Sequence, residues 1–170
     1  TRESAESNLM QPILIIDGNN LTLRAMHGCP PLYDQNNVPT GCLMTSIRTA
    51  CKVASKIRPR RVFWVWDGGH SQWRKKIFPE YKLKRRVDPR LARDSEDSMR
   101  DGLESFHEEW KTQVKLMEKY LPLLGVSQVR LAGCEADDVI YRMKNLFAYQ
   151  GFDTVLATSD ADFNQLLDVT

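Results

Sequence analysis

Ile13-Leu14-Ile15-Ile16-Asp17-Gly18-Asn19-Asn20 joins an unbroken apolar run to an acid and a turn-forming cluster. Such a run lacks the in–out alternation of a half-exposed strand, and it suits a parallel strand buried on both faces. Val62-Phe63-Trp64-Val65-Trp66 repeats the pattern and also halts at a carboxylate and a turn, Asp67-Gly68-Gly69. Thr154-Val155-Leu156-Ala157-Thr158 ends at Ser159-Asp160-Ala161-Asp162, and a weaker strand is expected over 126–131. Between these runs the periodicity changes. After a loop through Pro30, Pro31 and Pro39, a helix starts near Thr40 as N-cap; it carries Leu43, Met44, Ile47, Ala50, Cys51, Ala54 and Ile57 at three- and four-residue spacing and ends at Pro59. The charged stretch 94–109 reads as exposed helix, and Trp110, Val114, Met117, Leu121 and Leu124 form an apolar stripe ending at Gly125. A further helix opens at Glu135-Ala136-Asp137-Asp138, buries Val139, Ile140, Met143, Leu146 and Phe147, and stops at Gly151. Trp64, Trp66 and Trp110 belong to the expected core. Strands alternating with helices of this length predict an α/β fold, a mostly parallel central sheet flanked by helices.

The chain has 170 residues, 42% of them hydrophobic and 27% charged, which suits one domain with a real core and excludes a disordered polymer. Apolar runs of four or five residues fall far short of the roughly 20 that span a bilayer, so no membrane partner is expected. Residues 1–11 are polar and small, a flexible tail without the pattern of a secretory leader. Thr1 in place of an initiator Met and the end at Thr170 point to an excerpt of a longer protein. Cys29, Cys42, Cys51 and Cys134 have no zinc-ligand or paired spacing and read as free thiols of a cytoplasmic protein. The net charge is only +2, yet 74–93 carries nine basic residues (Arg74, Lys75, Lys76, Lys82, Lys84, Arg85, Arg86, Arg90, Arg93) against Glu80 and Asp88. One segment attracts a polyanion while the remainder is net acidic.

In an open parallel sheet the strand-to-helix loops gather beyond the carboxyl ends of the strands, where ligands bind. Asp17, Asp67, Asp160 and Asp162 therefore share one edge, joined by Glu135, Asp137 and Asp138 in the first turn of a helix that follows another strand. Two like charges about 4 Å apart repel by roughly 4 kcal/mol at an effective dielectric near 20, several times what a helix N-terminus returns. Hard divalent cations relieve that repulsion, and an oxygen-only donor set favours Mg²⁺ or Mn²⁺ over zinc. A pair of such ions about 4 Å apart can clamp the attacking water and leaving oxygen of a phosphodiester. Two divalent cations, Mg²⁺ with Mn²⁺ able to substitute, are thus the expected cofactors, and metal-dependent phosphodiester hydrolysis the expected chemistry.

Ile15-Ile16-Asp17-Gly18-Asn19-Asn20-Leu21 with Arg24-Ala25, Val38-Pro39-Thr40-Gly41, Val65-Trp66-Asp67-Gly68-Gly69, Pro79-Glu80-Tyr81-Lys82-Leu83-Lys84-Arg85, Gly133-Cys134-Glu135-Ala136-Asp137-Asp138 and Thr158-Ser159-Asp160-Ala161-Asp162-Phe163 occur in this order. Together they resemble the 5′-nuclease, or flap endonuclease, superfamily, closest to its stand-alone phage and bacterial members. The resemblance implies a PIN-like 5′→3′ exonuclease N-terminal domain over 12–170 with a basic helical arch over about 73–109. It places the break before the family's helix-three-turn-helix region and its two further aspartates. It also implies that Asp17, Asp67, Glu135, Asp137, Asp138, Asp160 and Asp162 hold the metals and that Lys82 and Arg85 assist hydrolysis at the scissile phosphate. Gly18, Arg24, Arg74, Lys75, Tyr81, Lys82 and Arg85 would contact nucleic acid. The implied function is a Mg²⁺-dependent 5′→3′ exonuclease and structure-specific 5′-flap endonuclease. It would be a monomer acting on DNA with 5′ ends or flaps, or on RNA–DNA hybrids, at replication or repair junctions, in the host cytoplasm if phage-encoded.

Two other readings stay open. A PIN-type ribonuclease would share the acidic edge but lack the arch. A structure-selective DNA-binding module with impaired catalysis would keep the basic segment without a complete metal site.

Overall fold

β1 (Ile13–Asp17), β2 (Arg61–Trp66), β3 (Ser127–Arg130) and β4 (Thr154–Ala157) form one sheet in the order β3-β2-β1-β4, every pairing parallel. The computed structural model describes residues 11–69, 71–78 and 96–166, without the side chains of 72, 73, 75 and 96–103. The helices are α1 (Gly18–Gly28), α2 (Gly41–Ile57), α3 (Gln72–Ile77), α4 (Glu96–Tyr120) and α5 (Ala136–Tyr149), with 3-10 segments at Leu121–Leu124 and Ala161–Leu166. Among the described residues no helix is long and apolar enough to cross a membrane.

β1 is buried along its whole length because its side chains feed two cores. Leu14 and Ile16 join Trp64, Trp66, Ala25, Leu43, Val114, Met117 and Leu121, which seats α1, α2 and α4 on one face. Ile13 and Ile15 join Val65, Val139, Ile140 and Phe163, which seats α5 and the last 3-10 segment on the other. A three-layer sandwich results, with β1 at its centre. Full burial of Leu14, Ile15 or Ile16 contributes about 1.5–3 kcal/mol each. Loss of any one would loosen both the sheet and the position of Asp17 at its end.

Several details depart from the sequence reading. Asp17-Gly18-Asn19-Asn20 is no turn leading to a loop: an 11-residue helix starts at Gly18 directly after the strand. Asp17 makes this possible by N-capping it, its Oδ1 accepting from the Asn20 N–H at 3.1 Å. The charged stretch and the apolar stripe up to Tyr120 are one 25-residue helix, and Gly125, at a φ of 74°, ends the 3-10 segment that follows. Leu124 and Leu146, expected inside, are exposed, and Trp110 is half-buried with its indole N–H donating to Thr22 Oγ1 at 3.2 Å. Leu146 lies on the solvent side of an arc centred on Ile140, Met143 and Phe147. Helix α2 does begin after Thr40 and ends at Arg58, in the left-handed region just before Pro59.

Candidate active site

Each acidic residue reaches the carboxyl edge of the sheet on a different element, and a hydrogen-bond donor holds several of them in place. Asp17, buried at the end of β1, accepts from the Asn20 N–H through Oδ1 and from Thr158 Oγ1 through Oδ2, both at 3.1 Å. Asp67, just past β2, accepts the Ala136 N–H at 2.7 Å and so caps α5 from across the sheet edge. Asp160, just past β4, accepts the Asp162 N–H at 3.0 Å. Glu135 is buried at the N-cap position of α5, with Asp137 and Asp138 in its first turn.

Electrostatics couple five of these groups. Burial, then the charges of Asp17, Asp160, Asp67 and Glu135, push the Asp137 carboxyl up to about 6. Burial first, partly offset by its two hydrogen bonds, raises Asp17 too, and Asp67 and Asp160 add to it. Five carboxylates from four elements thus share one field. Asp162 is exposed at the rim and, with Asp137, Asp138, Arg74, Tyr141 and Gln165, lines an open cavity of about 520 Å³.

Among the described residues, no three His, Cys, Asp or Glu side chains lie close enough to form a ready-made metal site. The carboxylates accept hydrogen bonds from local donors. Arg74 bridges two of them, its Nη1 donating to Glu135 Oε2 at 2.7 Å and its Nη2 to Asp138 Oδ1 at 2.6 Å. The donor set nevertheless fits a hard cation, being oxygen-only and short of positive charge. Asp138 Oδ2 is buried with no hydrogen-bond partner, the open coordination such an ion would fill.

The expected nucleic-acid contacts divide four ways. Arg24 is exposed on α1 and lines a second cavity, of about 380 Å³, with Asn20, Thr45, Thr49, Thr158 and Ser159, beside Asp17. Arg74, also expected to contact nucleic acid, lies beside the acidic cluster and pairs with Glu135 and Asp138. Gly18 is buried, and a Cβ there would fall 2.2 Å from Trp64 Nε1 and 2.7 Å from the Val65 carbonyl oxygen, so close packing alone demands glycine. Tyr81, Lys82, Arg85 and the Lys75 side chain lie outside the described residues.

Three residues that sequence reading treated as turn or strand end do positioning work. Asn19 Oδ1 accepts the Asp67 N–H at 3.0 Å, and Asn20 Oδ1 accepts the Ser159 N–H at 3.2 Å and its hydroxyl at 2.7 Å. Thr158 links Asp17 to Asp160, donating to the first and accepting the N–H of the second at 3.1 Å. Polar residues crowded against a strand-end aspartate were the available signal.

Known proteins resemble this chain in sequence and in fold. The model of the family described as the 5′-3′ exonuclease, N-terminal resolvase-like domain matches residues 12–170. A 5′-3′ exonuclease of Aquifex aeolicus is 28% identical over 158 residues, 93% of this chain and 48% of the relative. A flap endonuclease Xni of Shewanella sediminis is 32% identical over 160 residues, 94% of this chain and 53% of the relative. The chain therefore spans about half the length of these relatives. Among solved structures, the T5 5′-exonuclease with divalent zinc ions bound is 26% identical with a TM-score of 0.69, covering 92% of this chain and 52% of that one. The bacteriophage T5 flap endonuclease complexed with DNA and metal ions has the same TM-score at 24% identity, over the same shares of the two chains, a likeness of fold.

Proposed function

Because the chain belongs to the 5′-3′ exonuclease N-terminal, resolvase-like family, we propose that it is the catalytic domain of a divalent-metal-dependent 5′→3′ exonuclease and 5′-flap endonuclease. Its substrates are DNA with 5′ ends or flaps and, secondarily, RNA–DNA hybrids at replication or repair junctions; it works as a monomer in the cytoplasm. The observation that carries this reading is the gathering of acids at one sheet edge, where Thr158 links Asp17 to Asp160 and Asp67 caps the helix that carries Asp137 and Asp138. Carboxylates so arranged are tolerable at neutral pH when cations sit among them.

Asp17, Asp67, Glu135, Asp137, Asp138, Asp160 and Asp162 are the proposed ligands of two ions, Mg²⁺ with Mn²⁺ as a substitute. When bound, the ions supply charge neutralisation and a water acidic enough to attack a phosphodiester. The protein's share is geometry. Asn20 and Thr158 hold both oxygens of Asp17 in fixed directions, and Asp67 is held between Asn19 and the start of α5. Preorganised ligands of this kind need little rearrangement as substrate enters. Arg24, exposed and lining a cavity with Asn20 and Thr158, would take a backbone phosphate. Lys82 and Arg85 are proposed to neutralise charge developing on the scissile phosphate as the P–O3′ bond breaks and a 5′-phosphate forms.

The test is cleavage of a 5′-labelled flap duplex against single-stranded RNA, in Mg²⁺ and in EDTA. Mg²⁺-dependent release of the flap with little RNA cleavage supports the proposal. Preferential RNA cleavage would favour a PIN-type ribonuclease, and DNA binding without cleavage a structure-selective binding module.

A further inference from the structure

We propose that Arg74 is a tethered counter-cation that an incoming divalent ion displaces from Glu135 and Asp138, and that the freed guanidinium then pairs with a substrate phosphate. The inference rests on the metal-dependent nuclease reading and adds an order of events to it. Arg74 sits on α3, whose N-cap Ser71 is fully buried and accepts the Arg74 N–H at 3.5 Å. From that anchored backbone the side chain crosses to α5 and bridges two carboxylates in and before its first turn, at 2.7 and 2.6 Å. The guanidinium takes one oxygen of each carboxylate, Glu135 Oε2 and Asp138 Oδ1, and puts a full positive charge where a hard cation would be attracted.

The bridge is incomplete as a permanent partner. Asp138 Oδ2 remains buried without a hydrogen bond, so one guanidinium does not satisfy the pair. The Arg74 side chain is 25% exposed and lines the 520 Å³ cavity with Asp137, Asp138 and Asp162, so it has an open route outward. A guanidinium and a divalent ion cannot share these two carboxylates without repelling each other, and the mobile partner is the side chain. Once outside the fork it carries a full charge and bidentate geometry into the space where a phosphate would meet the metals. Metal loading without substrate is therefore held weak, and a phosphate draws both cations together.

The experiment compares Mn²⁺ uptake, followed by the electron paramagnetic resonance of the free ion, in wild type, Arg74→Gln and Arg74→Lys without nucleic acid. Arg74→Gln is expected to bind Mn²⁺ at least about tenfold more tightly, since two charge-assisted hydrogen bonds no longer compete and one alone accounts for that factor. Arg74→Lys, which keeps the charge but loses the fork, should fall between. In wild type, Mg²⁺ without nucleic acid should also shift and narrow the Arg74 side-chain Nε–H resonance, a readout that survives if a variant folds poorly. Equal or weaker Mn²⁺ binding by Arg74→Gln, or an Arg74 resonance indifferent to Mg²⁺, would overturn the exchange while leaving the metal-dependent reading intact. No Mn²⁺ uptake by any of the three proteins would overturn both.

Discussion

Replacing Asp137 with Asn separates what this carboxylate costs the metal-free fold from what it contributes to function. Burial and four acidic neighbours hold its carboxyl near 6, against an ordinary 3.8. A raised folded pKa means stability present at low pH and lost as pH climbs through the interval between those values. Two pH units correspond to about 3 kcal/mol, and because the residue is only partly buried, screening by solvent reduces this to about 1 kcal/mol. Asn keeps the shape and removes the charge. In EDTA at pH 7.5 the variant should therefore be more stable than wild type by about 1 kcal/mol, or about 2–4 °C in Tm for a chain of this size. At pH 4 the two should unfold together. With saturating Mg²⁺ the order should reverse, and Mg²⁺-dependent cleavage should be lost. Thermal and urea unfolding by circular dichroism, at half-unit steps from pH 4 to 8 with EDTA or Mg²⁺, measures all three. A variant that is less stable in EDTA at pH 7.5, or a difference that does not change with pH, would refute the reasoning.

Asp67→Ala removes the acceptor for the Ala136 N–H and should cost about 1 kcal/mol in urea unfolding, whereas Asp67→Asn keeps an N-cap acceptor and most of the stability; cleavage should fail in both. Gly18→Ala drives a methyl against Trp64 and the Val65 carbonyl and should destabilise by at least about 1–3 kcal/mol, read from the urea midpoint. Lys82→Ala should slow single-turnover cleavage far more than it weakens binding to flap DNA, and equal effects on both would count against a role at the scissile phosphate. Affinity for flap DNA should fall steeply with salt, as phosphate contacts release counterions, and a flat dependence measured by fluorescence anisotropy would exclude the basic segment as the contact.

The strands were legible because β1 and β2 are apolar on both faces, a pattern that in a chain of this length fits a parallel sheet. Their terminal aspartates were legible for a related reason: a buried strand must give way to polar residues where it leaves the sheet, and that place is where ligands bind. Helix α1 was not legible. Gly-Asn-Asn is a poor opening by intrinsic propensity, and the helix exists because Asp17 caps it and because Thr22 and Ala25 are buried beneath their neighbours. Arg74 was legible as a basic residue but not as a partner of the acids, since Glu135 lies 61 residues further along the chain. The fold joins them, bringing the Arg74 guanidinium of α3 to the start of α5.

That joining ties the fold's own stability to its proposed chemistry. A sheet edge holding Asp17, Asp67, Glu135, Asp137, Asp138 and Asp160 must be kept from repelling itself during folding, when no metal need be present. The structure spreads the burden over Asn20, Thr158, the α5 N-terminus and Arg74. The first three supply neutral donors, two backbone N–H groups and one hydroxyl. Arg74 differs in kind, being charged, partly exposed and able to leave. A protein that used neutral donors alone would fold less securely without metal. One with several fixed cations in the cluster would exclude the metal altogether. A movable guanidinium meets both demands, and for that reason its removal should strengthen metal binding while weakening the metal-free fold.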